Sequence, residues 1–393
     1  MNKLALNFIC KDESHIIEKM LKSTLPIIDL IVANDTGSTD GTQEIIKKFG
    51  KENNIPTYVL ERPFDNFENS RNYAMDNLIK ITKELKWDLD KSYGFWIDCD
   101  ETIADVDKFN KDSLSKDLYM INAQINNTIY TRNTFFKLSK KFEWYGPVHE
   151  FIRPLFKNIT TGVINGMYID VKMDGNSWKG SIADKYKKHA FLLEEYIDKD
   201  RSDSRWVFYT AQSYYDSSCT KSKSENEERL RRALNYYKER IDRKDGHEEE
   251  IYFSQYRIGI IMNKLDESWN LTHQEFLKAY TIDPLRGESI KAIIDYYLRT
   301  KQWHNAYLYS KFSLENFHNK SPYPKRILFL NEKLYSWKIL EVHSIISYYT
   351  GRIEESKKCY KKLLSLINEK PNLFSIDDIN KIKSNKKYLL NEK

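Results

Sequence analysis

Short apolar runs alternate with amphipathic stretches as far as about residue 175, and there the alternation stops. Residues 4–9, 30–32, 57–60 and 94–97 read as strands, and residues 13–23 and 42–49 as helices. Strands and helices that take turns in this way fold as helices packed on a mainly parallel sheet. Ligands bind such sheets outside the carboxyl ends of the strands. The polar clusters that follow Val32 and Ile97 fall at those ends. After Gly175-Asn176-Ser177 the apolar positions recur at helical spacing and aromatic residues crowd together, as in Trp206-Val207-Phe208-Tyr209 and Tyr214-Tyr215. Tyr297 and Ala306 stand nine apart, and Ala279 and Pro284 five apart. Both are spacings of the tetratricopeptide pattern, in which small residues let paired helices approach. The expected architecture is an α/β domain over residues 1–175 followed by an all-α array over residues 176–393. The array should hold about four or five helix pairs, with irregular joints near Asp245-Gly246 and Asn319-Lys320-Ser321-Pro322 and a last helix after Pro371.

Lys and Arg outnumber Asp and Glu by 63 to 57 and are spread along the chain, which argues against a nucleic-acid partner. Cys10, Cys99, Cys219 and Cys359 lie far apart, with neither metal-site spacing nor a disulfide framework. They read as the reduced thiols of a cytoplasmic protein. The apolar segment 4–10 runs straight into Lys11-Asp12-Glu13 and lacks a cleavage site, and Asp29 interrupts segment 25–33. No run approaches the roughly 20 residues of a membrane helix, so no integral membrane segment is expected.

Three acidic clusters in the first half carry candidate chemistry. The first, NDTGSTDGT at 34–42, follows a strand and precedes a helix. Gly37 permits a tight turn and Ser38, Thr39 or Asp40 can cap the helix, which leaves Asp35 at the strand end, suited to a hydrogen bond to the base or ribose of a nucleotide. The second is Asp98-Cys99-Asp100. Alternate side chains of a strand share a face, so the two carboxylates converge on one divalent ion if extended geometry persists. Mg²⁺ or Mn²⁺ prefers such oxygen ligands and can bridge a diphosphate. The third is WYGPVHE at 144–150, where a Gly-Pro turn is flanked by aromatics that can stack on a sugar, and Glu150 or His149 can handle a proton or the metal. Each cluster also has a plainer reading as a cap, a surface acid or a packed aromatic loop.

Taken together, NDTGSTDGT, then FENSRNYA at 67–74, WIDCDE at 96–101 and GPVHE at 146–150 resemble family 2 glycosyltransferases of the tetratricopeptide-containing group, in order and in approximate spacing. The resemblance continues in FYTAQSY at 208–214, YKER at 237–240 and DPLRGE at 283–288. It implies a GT-A fold, a nucleotide-diphosphate sugar donor (a UDP-sugar), a divalent metal and inversion at the anomeric carbon. By position, Asp35 would contact the nucleoside, Arg71 the donor site and Asp98 the ribose and metal. Asp100 would ligate the metal directly, and Glu150 would be the general base with His149 nearby. A glycan or a protein or peptide acceptor would be held by the helical array. Similar proteins often place a His shortly after the next strand, where this chain reads Val171-Lys172-Met173-Asp174-Gly175, so Asp174 or water would stand in. His189 and His304 read as packing or surface residues, and Cys99 as a buried small residue.

Two other readings use the same residues. Asp98-Cys99-Asp100-Glu101-Thr102 fits the Asp-x-Asp-x-Thr pattern of haloacid-dehalogenase-like phosphotransferases, with Asp98 as nucleophile and Asp100 as acid. It leaves NDTGSTDGT and His149-Glu150 without a role. A non-enzymatic adaptor, with peptides bound by the array, leaves every acidic cluster without one.

Overall fold

A computed structural model describes residues 1–125, 128–172, 174–175 and 180–389. They form two compact units, Met1–Lys199 and Asp200–Lys393. The boundary expected after residue 175 adjoins residues 176–179, and both these and Met173 lie outside the described residues.

The first unit runs β1 (Lys3–Cys10), α1 (Ile17–Thr24), β2 (Leu30–Asp35), α2 (Thr42–Glu52), β3 (Thr57–Glu61), α3 (Phe67–Glu84), β4 (Ser92–Trp96), β5 (Glu101–Ala104), β6 (Leu118–Ile125), β7 (Thr128–Lys137), β8 (Phe142–Tyr145), β9 (Phe151–Pro154), β10 (Thr161–Val171) and α4 (Ile182–Lys199). Among the described residues eight strands make one sheet in the order β3-β2-β1-β4-β7-β6-β10-β5, and β8 pairs with β9. The four strands from β3 to β4 are parallel, as the alternation requires. Beyond them the sheet is mixed, because β7 runs antiparallel to β4 and β6, and β5 antiparallel to β10.

Both faces of β1 are covered, which is why its sequence from Leu4 to Cys10 is apolar at every position but Asn7. Leu4, Leu6, Phe8 and Cys10 point into one core with Ile17, Met20 and Leu21 of α1 and Ile46 and Phe49 of α2. Ala5 points to the other face, into a core with Ala74, Met75 and Leu78 of α3 and with Trp96 and Trp144. Asn7, fully buried on that second face, donates through Nδ2 to Val32 O at 3.0 Å and Ala74 O at 3.2 Å, fixing α3 to the sheet. Gly94 of β4 is needed for closeness, since a Cβ there would stand 2.3 Å from the Phe136 ring on the neighbouring strand.

The second unit runs α5 (Ser204–Ser217), α6 (Lys223–Arg243), α7 (Glu248–Lys264), α8 (Trp269–Ile282), α9 (Glu288–Arg299) and α10 (Trp303–Asn316), then a π-helical turn Leu334–Lys338, α11 (Ile339–Tyr349), α12 (Ile353–Glu369), α13 (Ile376–Ser384) and α14 (Lys386–Leu389). From α5 to α12 each helix packs on its neighbours in sequence, the solenoid pattern expected of tetratricopeptide-like pairs. Ala279 and Ala306 are fully buried at these contacts. The quoted runs in this half have structural work. Arg240 is fully buried on Glu250 Oε2 at 3.0 Å. Arg286 is equally buried; it meets Glu288 Oε1 at 3.0 Å and Glu249 Oε2 at 3.4 Å and donates to Leu328 O at 2.9 Å. Glu249 Oε2 also accepts from the backbone of Ile327 and Leu328, so this cluster latches the stretch between α10 and the π turn onto α7 and α9. Removing one member leaves buried carboxylates uncompensated. Arg286→Ala is therefore expected to cost about 3–5 kcal/mol in chemical denaturation, and a loss below about 1 kcal/mol would show that the latch carries no stability.

Candidate functional site

The strand order gives the first unit a topological switch point at β1, whose parallel neighbours are β2 on one side and β4 on the other. The carboxyl ends of these strands border the crevice where open α/β sheets take ligands. Asp35 ends β2 and Asp98 follows β4, so two expected site residues flank that point.

Asp35 is 1% exposed. Its Oδ1 accepts from Gly37 N at 2.9 Å, Ser38 N at 2.8 Å and Gln43 Nε2 at 3.1 Å. Burial raises its pKa, but these bonds outweigh burial and hold the carboxyl below its ordinary value. Turn formation was expected to leave Asp35 unexplained; instead Asp35 organises the turn. The α2 N-cap is Gly41, without a side-chain cap bond, and Asp40 braces the helix start by accepting from Thr42 N at 3.1 Å. The same run also holds the β1–α1 loop: Ser38 Oγ, Thr42 Oγ1 and Asp40 Oδ2 accept from the backbone N–H groups of Asp12, Glu13 and Ser14. Asp12, Glu13 and Ser14 are engaged in this way, and Ile16 N and Ile17 N turn back to Glu13 O, so α1 begins at Ile17 and not at residue 13.

Extended geometry does not persist at the second cluster. β4 ends at Trp96, and Glu101 N donates back to Asp98 O at 3.2 Å, so Asp98 to Glu101 is a turn and the two aspartates do not share a strand face. Asp98 is instead held by two guanidinium groups, with Oδ1 3.1 Å from Arg71 Nη1 and Oδ2 3.5 Å from Arg132 Nη1, while Trp96 Nε1 donates to Oδ1 at 3.2 Å. Burial pushes the Asp98 carboxyl up, but Arg71 and Arg132 pull it further down, below its ordinary value. Asp100 lies against Gly175, where a Cβ would stand 3.0 Å from the Asp100 Cβ, and its carbonyl accepts from Lys172 N at 3.2 Å, so the chain just after β10 closes on the acidic turn. Asp174 turns elsewhere, with Oδ2 3.9 Å from Lys19 Nζ of α1.

Arg71 is the hub of the third cluster. Its Nε stands 2.6 Å from Glu150 Oε1, and its guanidinium lies over the Trp96 and Trp144 rings at 4.8 and 4.6 Å. Trp144 is thus buried against Arg71 and Trp96, not displayed to a sugar. FENSRNYA builds this arrangement: Glu68 Oε2 accepts from Gly146 N at 2.8 Å, and Asn72 exchanges bonds with both the N–H and the C=O of Trp144. Residues three and four apart on α3 face the same way, so one helix face pins β8, the Gly146 turn and Glu150 together. His149 takes a positive φ of 54°, and its ring meets His189 of α4 edge-on at 6.0 Å. Burial lowers the His189 pKa to about 4. On the preceding turn of α4, burial pulls the Lys185 ammonium below the lysine range, against the pull of the nearby Asp100 carboxylate.

Arg132, Glu101 and Lys185 escaped the sequence reading as site residues, whereas His189 packs on the His149 ring, in keeping with its reading as a packing residue. Glu101 is 3% exposed, pairs with Arg132 and accepts from Asp98 N at 3.0 Å. Burial raises it to about 7 even though Arg132 lies against it, and Asp98 adds to the rise. It sits inside the quoted run WIDCDE, whereas Arg132 lies in a strand whose sequence carries no acidic residue. Cys99 is buried with Sγ 3.3 Å from Ile9 O, and all four cysteines are free. Among the described residues no three His, Cys, Asp or Glu side chains group as metal ligands, and no helix is long and apolar enough to cross a membrane.

No family model matches the chain. It is 23% identical over 257 residues to the SPbeta prophage-derived glycosyltransferase SunS of Bacillus subtilis strain 168, and equally to glycosyltransferase SunS of Bacillus phage SPbeta. The match takes in 61% of this chain, which spans only 55% of the length of those relatives. Among solved structures, the chain is similar to S. aureus TarS 1–349 in complex with UDP, at 11% identity and a TM-score of 0.34 over 68% of this chain and 93% of that one. A tetratricopeptide repeat protein from Parabacteroides merdae aligns at 12% identity and a TM-score of 0.35, over 53% of this chain and 68% of the other. The chain is therefore a low-identity homologue of a glycosyltransferase, with a Rossmann-like mixed sheet followed by a helical array.

Proposed function

We propose that this protein is a cytoplasmic glycosyltransferase that moves a sugar from a nucleotide-diphosphate donor, a UDP-sugar, to an acceptor hydroxyl with inversion. The observation that carries the reading is the pair of acidic turns, Asp35 to Thr42 and Asp98 to Glu101, at the carboxyl ends of the strands on either side of β1. The homology to SunS and the order of the acidic runs support it. Asp35 and its turn border the nucleoside, and Arg71 and Asp98 line the donor site.

A metal fits here in one form. Asp98 is already held by two arginines, and no three-ligand cluster exists among the described residues. Mg²⁺ and Mn²⁺ commonly bind through one or two carboxylates completed by substrate phosphates, so Asp100 is the ligand. The ion would supply neutralisation of charge on the departing diphosphate. Glu150, fixed by Arg71, takes the proton from the acceptor hydroxyl, with His149 beside it. The helical array holds a glycan or peptide acceptor on its extended surface.

The phosphotransferase reading needs Asp98 as a nucleophile, but both of its oxygens face guanidinium groups. Incubation of the full chain with UDP-sugars, with and without Mn²⁺, separates the readings. Slow release of UDP that depends on the metal is expected. A covalent aspartyl phosphate, or no turnover of any nucleotide sugar, would contradict the transferase.

A further inference from the structure

Residues 97–100 carry the chain from β4 to β5, strands that stand four places apart in the sheet. On a flat sheet that separation is about 19 Å at roughly 4.8 Å per strand. The five Cα steps from Trp96 to Glu101 span at most about 18 Å even at full extension, and this segment is a turn. The sheet therefore has to curl, and something has to hold the two ends of the turn where the curl puts them. Arg132, projecting from the intervening strand β7, does both. One arm lies 3.5 Å from Asp98 Oδ2 at the start of the turn, and the other pairs with Glu101 at its end. Glu101 Oε2 also accepts from Asp98 N at 3.0 Å, so a single buried carboxylate ties the guanidinium to the turn's own backbone. Neither residue has a part in the transfer chemistry described above.

We propose that Arg132 and Glu101 are the positioning pair of the donor site, a staple that sets the conformation of Asp98 to Glu101 and so aims Asp100 at the diphosphate. The proposal rests on the donor-site reading. Outer partners that orient metal ligands commonly contribute 10–100-fold to metal affinity, and that is the size of effect expected here.

The test uses the full chain as Arg132→Lys, Arg132→Ala and the double variant Arg132→Met/Glu101→Gln. In the double variant the buried charge pair is gone and Gln still accepts from Asp98 N, which guards against simple unfolding. Two quantities are read: backbone hydrogen exchange at Asp98 and Glu101, and the Kd for UDP with and without Mn²⁺. Arg132→Ala and the double variant should exchange about tenfold faster at both amides. They should lose about 30-fold in UDP affinity with Mn²⁺, and less than about threefold without it. Arg132→Lys should recover part of the Mn²⁺-linked affinity, a recovery that a mere packing role would not give. A folded double variant with unchanged exchange in the turn, or with equal losses with and without Mn²⁺, overturns the staple. A wild-type chain that binds no UDP overturns the donor-site reading and the staple's purpose with it, and the exchange data distinguish that result from a staple that fails.

Discussion

Asp100→Ala is expected to abolish sugar transfer, lowering the rate by at least about 10³-fold, while the thermal midpoint stays within a few degrees of wild type. Asp100 sits in a turn beyond the end of β4, half-buried and outside both cores of the first unit. Trimming it opens no cavity in a packed interior. Its neighbour Asp98 cannot replace it, because Asp98 is held by Arg71 and Arg132, and turning it towards a metal would leave two guanidinium groups short of a partner. Initial rates of transfer, alongside a melting curve, check this. Full activity of the variant in the presence of a chelator would remove the metal from the account.

Glu150→Gln is expected to lower kcat by about 10² to 10⁴ with little change in donor affinity. Gln keeps the size of Glu and an oxygen for Arg71 Nε, which lies 2.6 Å from Glu150 Oε1, so the Arg71 sandwich between Trp96 and Trp144 should survive. What disappears is the basic carboxylate. Single-turnover rates with saturating donor measure the step directly, and NMR of the product should give inverted anomeric configuration. Near-normal turnover would make Glu150 a clamp for Arg71 and move the proton to His149; retained configuration would contradict direct displacement.

The parts legible in the sequence are those governed by short-range pattern. The even and odd residues of β1 face two cores, so apart from Asn7 its run from Leu4 to Cys10 is apolar and reads as a buried strand. Ala279 and Ala306 mark helix contacts because only small side chains fit there. The acidic clusters were found because turns with Gly, Asp and Thr follow strand ends. Their internal geometry was not legible, since it depends on partners distant in sequence. Asp98 and Asp100 do not share a strand face because Glu101 closes a turn, and Trp144 is lost as a sugar platform because Arg71, from α3, fills the space over its ring. Arg132 reaches Glu101 across 31 positions of sequence, and no local spacing announces such a pair.

On the function proposed above, the crevice at β1 binds a nucleotide sugar. A thermal-shift screen of the full chain against nucleoside diphosphates and their sugars, with Mn²⁺ and with chelator, tests it most directly, because a ligand of the folded state alone raises the midpoint. UDP and at least one UDP-sugar should raise the midpoint with Mn²⁺ present, and the rise should fall away in chelator and in Asp100→Ala. No shift with any nucleotide, metal present or absent, would contradict the account.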